Sequence, residues 1–311
     1  MPLFQFSKSG SRQIKEKPFS LEKDLQKFTE ENLEAIFGLE FIKSEFELHG
    51  LRIDTLAFDR QTMSFVIIEY KRDRNFGVVD QGFAYLSLML NNKADFILEY
   101  GERNGKNIRR EDVDWSQSRV YFLARSFTNY QQKAINFKDF HIELWEVTRF
   151  ENDSVLYNQV KIDNAVVSIK GVAKNTQAQA VSREVKNYEE ADVIIKGAKS
   201  EELYKKLKEK MTLIDPTLIT NAAKLYIAFR LPNNWRNIIT VWFRKDKLQI
   251  ELLRSKPDDY KDPEKRIIYR ESSLKHYNQH VSIIYASNDH EIEYAAYIIQ
   301  QLYDRFIKEE V

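Results

Sequence analysis

The sequence contains no cysteine. This absence excludes disulfide frameworks, zinc ribbons, thiol nucleophiles and cysteine-held iron–sulfur clusters, and it fits a reducing compartment. Glycine and proline are scarce, with 9 and 6 residues among 311, which argues against glycine-rich linkers and glycine-dense sandwiches. No apolar run approaches the roughly 18 residues of a membrane-spanning helix, and residues 1–17 lack the apolar core of a signal peptide. We therefore expect a cytoplasmic protein that does not contact a membrane.

The charges nearly cancel, because 48 Lys and Arg residues stand against 47 Asp and Glu residues. A uniformly basic surface for nucleic acid is thereby excluded, and any such surface must be local. Hydrophobic residues make up 43% of the chain and charged residues 31%, a composition typical of globular proteins. The length suggests about two domains.

The hydrophobic pattern divides the chain into four segments. We predict a mobile arm at 1–19, an α/β domain at 20–165, a linker at 166–198 and an α+β domain at 199–311. The first domain is expected to begin with a helix that Ser20 caps and that ends before Gly38. It continues with further helices at 78–92 and 129–136, and with strands at 41–48, 51–58, 64–71, 95–100, 119–124, 141–147 and 155–162.

Three charged residues stand out within two consecutive predicted strands. Asp54 lies in one strand, and Glu69 and Lys71 end the next one, after the polar turn at 59–62. Residues at i and i+2 of a strand share a face, so a hairpin would bring two carboxylates and an ammonium group together. Paired carboxylates suit a hard divalent cation such as Mg²⁺, which activates phosphodiesters toward hydrolysis. Surface ion pairs on edge strands are the simpler alternative.

This arrangement resembles the PD-(D/E)xK nuclease superfamily, which has the restriction-endonuclease-like fold. The matching residues are Arg52-Ile53-Asp54 and Glu69-Tyr70-Lys71, with Ile53 where the family often has proline. The resemblance implies a mixed sheet flanked by helices in the first domain. It also implies that Asp54 and Glu69 hold the metal and that Lys71 serves the attacking water.

The resemblance extends into the following helix and the preceding one. Gln81 and Tyr85 match the Gln-x-x-x-Tyr motif of RecB-like nucleases and archaeal mismatch endonucleases, which implies that they position Lys71 or a phosphate. Simple helix packing is the alternative role for this pair. The resemblance also implies an acidic residue in the first helix, and the spacing favours Glu22. Glu31 is the alternative, because helical periodicity does not decide between the two.

The expected function is that of a deoxyribonuclease dependent on Mg²⁺ or Mn²⁺, acting on DNA in repair or in defence against foreign DNA. The alternative is a catalytically inactive nuclease fold that binds nucleic acid or a protein partner. All residues of the expected triad are present in the sequence, which favours the enzyme.

The second predicted domain carries no motif that indicates its function, but its charge is uneven. Residues 199–275 contain 18 Lys and Arg against 11 Asp and Glu, a surplus of seven positive charges, and a basic hairpin is expected around 245–247. This surface could contact DNA phosphates, although ordinary solvation explains it equally well and a protein partner is the other alternative. A homodimer is compatible with the many Phe and Tyr residues, but the sequence carries no interface pattern.

Overall fold

The computed structural model describes residues 2–8, 10–71, 77–105, 108–135, 141–160, 181, 184–232 and 234–310, without the side chains of residues 275, 276, 309 and 310. The chain forms two compact units, Met1–Asn187 and Tyr188–Val311. Each has its own hydrophobic core.

The first unit combines a mixed sheet with helices on both of its faces. Its strands are β1 Leu3–Ser7, β2 Gly10–Ile14, β3 Glu40–Leu48, β4 Leu51–Asp59, β5 Ser64–Lys71, β6 Arg119–Ala124, β7 Ile142–Arg149 and β8 Val155–Gln159. Its helices are α1 Glu22–Glu31, α2 Leu33–Phe37, α3 Val78–Asn91, α4 Lys93–Asn104 and α5 Asn129–Ala134.

Six of these strands form one sheet in the order β3-β4-β5-β6-β7-β8. The β3-β4, β4-β5 and β7-β8 pairs are antiparallel, whereas β5-β6 and β6-β7 are parallel. The carboxyl ends of β5, β6 and β7 therefore lie at one edge of the sheet, with Lys71 opposite Ala124 and Ala124 opposite Glu146. The α/β class and the mixed, helix-flanked sheet expected from the sequence are confirmed.

Alternation along the central strand β5 separates two core layers. Phe65 and Ile67 belong to the layer that includes α3 and α4, while Val66 and Ile68 belong to the layer that includes α1 and α2. All four are fully buried, because helices cover both faces of this strand. The coverage of both faces explains why the residues before Glu69 form a near-continuous apolar run.

The segment predicted as the strand 95–100 is helical, so that prediction is wrong. Phe96 and Tyr100 are buried in the core while Leu98 is 63% exposed, which follows the spacing of a helix rather than the alternation of a strand. Phe96 packs edge-on against Phe46 and Phe65. The alternation of large apolar residues at 96, 98 and 100 misled the sequence interpretation.

The predicted arm at 1–19 contains regular structure that the sequence did not predict. Its strands β1 and β2 form an antiparallel hairpin. The residues after it pair with the end of β7, since the Lys17 N–H donates to the Arg149 carbonyl at 2.9 Å and the Glu151 N–H donates to the Lys15 carbonyl at 2.9 Å. Helix α1 then begins after Leu21, whose N–H donates to the Asp24 carboxylate, so Leu21 rather than Ser20 is the capping position.

The second unit is an antiparallel sheet covered by two long helices. Its strands are β9 Ile219–Ala222, β10 Tyr226–Arg230, β11 Asn237–Phe243, β12 Leu248–Leu253, β13 Ile268–Tyr269 and β14 Val281–Ala286, in the order β13-β14-β12-β11-β10-β9. Its helices are α6 Glu190–Val193, α7 Lys199–Ile214, α8 Ser273–Tyr277 and α9 Asp289–Glu310. Leu207 of α7 and Ile298 of α9 are buried against this sheet. The observed elements agree with the α+β prediction.

Much of the predicted linker 166–198 lies outside the described residues. In its described part, Val185 is buried in the core of the first unit and Val193 in the core of the second. None of the helices in the described part of the chain is both long and apolar enough to cross a membrane.

Candidate active site

Strands β4 and β5 form the hairpin that the sequence predicts, and it brings Asp54 next to the end of β5. Thr55 lies opposite Ile68 in the antiparallel register. The Tyr70 N–H donates to Asp54 Oδ2 at 3.0 Å, so the backbone of β5 holds the Asp54 carboxylate in place. This contact joins the first residue of the predicted triad to the strand that carries the other two.

Glu69 and Lys71 form an ion pair at the carboxyl end of β5. Lys71 Nζ donates to Glu69 Oε1 at 2.7 Å. The Glu69 side chain is only 5% exposed and the Lys71 side chain 22%. Isolated buried charges are costly, so the position of Glu69 depends on the donors around it.

Gln81 and Tyr85 of α3 connect Glu69 to strand β4. Gln81 Nε2 donates to Glu69 Oε1 at 2.9 Å and to the Tyr85 hydroxyl at 3.1 Å. The Tyr85 hydroxyl in turn donates to the Arg52 carbonyl at 2.9 Å. The structure therefore brings both residues of the predicted motif into the same cluster as Glu69, and their contacts are with Glu69 and β4.

Gly82 lets α3 approach the sheet closely enough for these contacts. A Cβ atom at this position would lie 1.9 Å from Ile142 Cδ1 and 2.8 Å from Ile142 Cγ1 of β7. Any larger residue at position 82 would therefore have to displace the Ile142 side chain. The helix thus lies against β7 at the level of the carboxylate cluster.

Two carboxylates, Asp54 and Glu69, share this cluster with the ammonium group of Lys71. Among the described residues, no group donates a hydrogen bond to Glu69 Oε2, although that oxygen is buried. Burial and, second, the nearby charge of Glu69 together raise the pKa of Asp54 to about 6, against the opposing effects of the Tyr70 N–H and Lys71. Burial also raises the pKa of Tyr85, again with a contribution from Glu69.

These observations fit a hard divalent cation. Its preferred ligands are oxygens, carboxylates above all. Within the described ranges, the site offers a buried Glu69 oxygen without a hydrogen-bond partner and an Asp54 carboxyl with a raised pKa. A cation beside Asp54 and Glu69 would favour the ionised form of both. The groups that could hold such a cation are the carboxylate oxygens of Asp54 and Glu69.

The two candidate first-helix acids are exposed residues at the two ends of α1. Glu22 begins α1 and is exposed, and it lines a cavity together with Lys71. Glu31 is the exposed last residue of α1, and its carboxylate lies 3.9 Å from Lys27 Nζ. In the part of the chain that the structure describes, no three or more Asp, Glu or His side chains are grouped as metal ligands. The structure thus shows Asp54 and Glu69 as a pair and does not group either first-helix acid with them.

Two other residues of α1 contact the site strand, and the sequence interpretation missed them. Gln26 Nε2 donates to the Asp54 carbonyl at 2.8 Å, and Thr55 Oγ1 donates to Glu30 Oε1 at 2.5 Å. Gln26 also donates to Glu30 at 3.1 Å. A usable signal existed, because positions 26 and 30 are one helical turn apart beside the apolar stripe of Leu25 and Leu33.

Fold and site together define a mixed α/β protein in which a buried glutamate and a lysine at the end of a central strand lie beside a half-buried aspartate. No protein-family model matches the chain. The chain is 41% identical over 303 residues to an uncharacterized protein of Haemophilus influenzae (strain Rd), covering 97% of this chain and 99% of that protein. The chain belongs to the same family as this protein.

Two solved structures are similar to parts of the chain. One is a complex of EndoMS with double-stranded DNA, with 16% identity and a TM-score of 0.25, over 42% of this chain and 47% of that one. The other is a repair endonuclease from Pyrococcus abyssi, with 15% identity and a TM-score of 0.25, over 47% of this chain and 65% of that one. The chain thus spans about half to two thirds of these proteins.

Proposed function

We propose that this protein is a metal-dependent nuclease that hydrolyses phosphodiester bonds of DNA, with Asp54 and Glu69 as the ligands of Mg²⁺ or Mn²⁺. The observation that carries the proposal is the buried Oε2 of Glu69, which has no hydrogen-bond partner among the described residues and lies beside Asp54. The pKa of Asp54 is raised to about 6. Unpartnered buried carboxylate oxygens are destabilising. A cation that binds both groups would remove this cost.

The bound cation would supply Lewis acidity toward a phosphoryl oxygen. Lys71 would supply the complementary charge, since its Nζ lies 2.7 Å from Glu69 Oε1 and can also donate to a water or to a phosphate oxygen. Such a donor stabilises the negative charge that develops during attack on phosphorus. Lys71 is thus the proposed catalytic residue, alongside the two metal ligands.

Gln81 and Tyr85 have the role of positioning residues. Gln81 donates to Glu69 Oε1, and the Tyr85 hydroxyl accepts from Gln81 and donates to the Arg52 carbonyl. Because Oε1 already accepts from Lys71 and Gln81, Oε2 is the Glu69 oxygen that would hold the cation. Glu22, which shares a cavity with Lys71, is proposed as a further acid near the substrate path and not as one of the paired ligands.

The substrate class rests on the motif residues. Arg52-Ile53-Asp54, Glu69-Tyr70-Lys71 and the Gln81/Tyr85 pair resemble nucleases that act on DNA. The structure supports this assignment by joining these residues in one hydrogen-bonded cluster. A role in DNA repair or in defence against foreign DNA is part of the proposal.

The test is cleavage of supercoiled plasmid and of a single-stranded oligonucleotide by the full chain, with Mg²⁺, Mn²⁺ or EDTA. Wild type is compared with Asp54→Asn and with Asp95→Asn, which changes an exposed aspartate of the same unit. We expect metal-dependent cleavage by wild type and by Asp95→Asn, and at least about a hundredfold less by Asp54→Asn. Equal cleavage by all three would refute the assignment, and DNA binding without any cleavage would favour the inactive binding module.

A further inference from the structure

A cavity of about 270 Å³ lies at the edge of the first unit's sheet where the parallel strands end. Lys71 ends β5, Arg125 follows β6, and Val147 to Arg149 end β7, and all of these line the cavity. Crevices at the carboxyl ends of parallel strands are the usual ligand sites of open α/β sheets. The beginning of α1 and the segment before it complete the cavity.

Part of the cavity lining is apolar. Leu25 and Val147 line it and are buried in the core layer between α1 and the sheet. Leu21 also lines it but is 57% exposed, so it lies at the rim. This wall offers a flat aromatic group a place out of water, which is a favourable contact for a base.

The charged part of the lining consists of the basic side chains of Lys71, Arg125 and Arg149 and the carboxylates of Glu16 and Glu22. The positive charge of Arg125 is the one that can change partner. Arg125 Nη2 lies 3.2 Å from Glu16 Oε2, and the two side chains are 63% and 44% exposed. Exposed ion pairs of this kind contribute little stability and exchange partners readily. Arg149, by contrast, is held by Asp153 at 2.6 Å and lies over the Phe19 ring, so Arg125 is the cation best placed to accept a phosphate.

Lys71 connects this cavity to the carboxylate cluster. It lines the cavity while its Nζ donates to Glu69 Oε1 at 2.7 Å. A ligand bound in the cavity would therefore lie beside Lys71, the residue proposed to stabilise negative charge at the phosphate that is cleaved.

We propose that this cavity binds one unpaired nucleotide of the substrate strand, with its base on the apolar wall and its phosphate on Arg125. This inference rests on the proposed nuclease function and adds a substrate preference to it. The cavity volume of about 270 Å³ is slightly below the roughly 300–1,000 Å³ of typical small-molecule sites. A cavity of this size accommodates a single nucleotide and excludes a base pair. The enzyme then requires a strand end, a single strand or a locally unpaired nucleotide.

The experiment is isothermal titration of the full chain with deoxyadenosine 5′-monophosphate in EDTA, so that binding is measured without a cation. Deoxyadenosine and inorganic phosphate serve as separate probes of the base and of the phosphate. Arg125→Met removes the proposed phosphate contact and Leu21→Trp fills the rim of the cavity. Arg12→Met is the matched control, because Arg12 is also an exposed arginine paired with one glutamate, Glu151, at 2.8 Å.

We expect saturable binding of the nucleotide to wild type and to Arg12→Met. Binding should be at least about tenfold weaker in Arg125→Met, because a charge-assisted phosphate contact is lost, and similarly weak in Leu21→Trp. Deoxyadenosine and phosphate alone should each bind more weakly than the nucleotide. No saturable binding to wild type, or equal affinity in all four proteins, would overturn the inference. Because no cleavage is measured, either result leaves the proposed nuclease function to its own test.

Discussion

Lys71 and Glu69, two residues apart on the same strand, form an ion pair of 2.7 Å whose carboxylate is almost completely buried. Burying such a pair brings little net stability, because the loss of hydration offsets the attraction. Glu69 moreover keeps one buried oxygen without a partner among the described residues. An arrangement that costs stability and concentrates charge is typical of a site that performs chemistry.

Lys71→Met separates the role of the ammonium group from the role of the carboxylates. We expect cleavage to fall by at least about a hundredfold, because a donor that stabilises the developing charge is lost. Mn²⁺ affinity, measured by titration, should stay equal or increase, since a positive charge beside Glu69 is removed. Cleavage at the wild-type rate would show that Lys71 has no catalytic role.

Gly82→Ala tests the close approach of α3 to the sheet. The added methyl group would overlap Ile142 Cδ1, so we expect a loss of about 1–3 kcal/mol in the free energy of unfolding, the usual cost of overpacking a core. Urea denaturation measures it. The compensating change Ile142→Val removes the overlapping Cδ1 atom, so the double variant should be more stable than the sum of the two single changes implies. Strict additivity would contradict the packing explanation.

The local part of the site could be predicted from the sequence because it depends on neighbouring strands. A polar turn at 59–62 between two apolar strands fixes the hairpin, and the period of two then places Glu69 and Lys71 on one face. The contact between Asp54 and the end of β5 follows from that register. No tertiary information is needed to expect it.

The contribution of α1 could not be predicted in the same way. Which acid of a helix faces a strand depends on how the helix lies on the sheet, and both Glu22 and Glu31 flank its apolar stripe. The structure makes Gln26 and Glu30 the residues that contact β4. Likewise, the helix at Lys93–Asn104 was missed because tertiary burial of Phe96 and Tyr100, not local alternation, decides its structure.

Glu291 gives the second unit a pH-dependent contribution to stability. It accepts hydrogen bonds from the Ser287 N–H and hydroxyl and pairs with Arg266 at 2.9 Å. Burial alone would raise the pKa of Glu291, but these donors lower it to about 2. The ionised form therefore stabilises the folded state fully above the ordinary pKa of 4.5, and this stability is lost as the pH falls through the folded pKa.

Glu291→Gln should accordingly destabilise the protein by roughly 1 kcal/mol near neutral pH, the typical cost of losing a helix cap. Its effect should be smaller at about pH 3 than at about pH 6, because wild type also loses the contribution there. Urea denaturation at both pH values, with the exposed Glu293 changed to Gln as the control, measures the difference. An effect independent of pH would show that the charge of Glu291 does not matter.

Variants of the basic turn between β11 and β12 test whether the positively charged surface expected from the sequence of the second unit contacts DNA. Arg244 and Lys245 are exposed there, and Lys247 Nζ lies 4.6 Å from the centre of the Tyr285 ring. Replacing all three with Ala should weaken duplex binding and flatten its log–log salt dependence by about 0.9 for each lost phosphate contact. Fluorescence anisotropy at several salt concentrations measures both.

The matched control for this turn replaces Lys205, Lys206 and Lys208 of α7 with Ala, which removes the same charge from lysines paired with Glu201, Asp289 and Glu190. We expect a smaller effect from these paired residues. If the turn variant binds DNA with the affinity and salt slope of wild type, the turn does not contact DNA, and a protein partner becomes the better explanation of its charge.

The most direct test of the paired-carboxylate site is isothermal titration of the full chain with Mn²⁺, comparing wild type with Glu69→Gln and with Glu47→Gln, an exposed acid on β3. Glutamine keeps the size of the side chain and removes its charge, so the affinity should fall at least about tenfold in Glu69→Gln, because a hard cation prefers anionic oxygen ligands. Glu47→Gln should bind Mn²⁺ as wild type does. Equal affinity in all three proteins would contradict the proposal that Glu69 and Asp54 hold the metal.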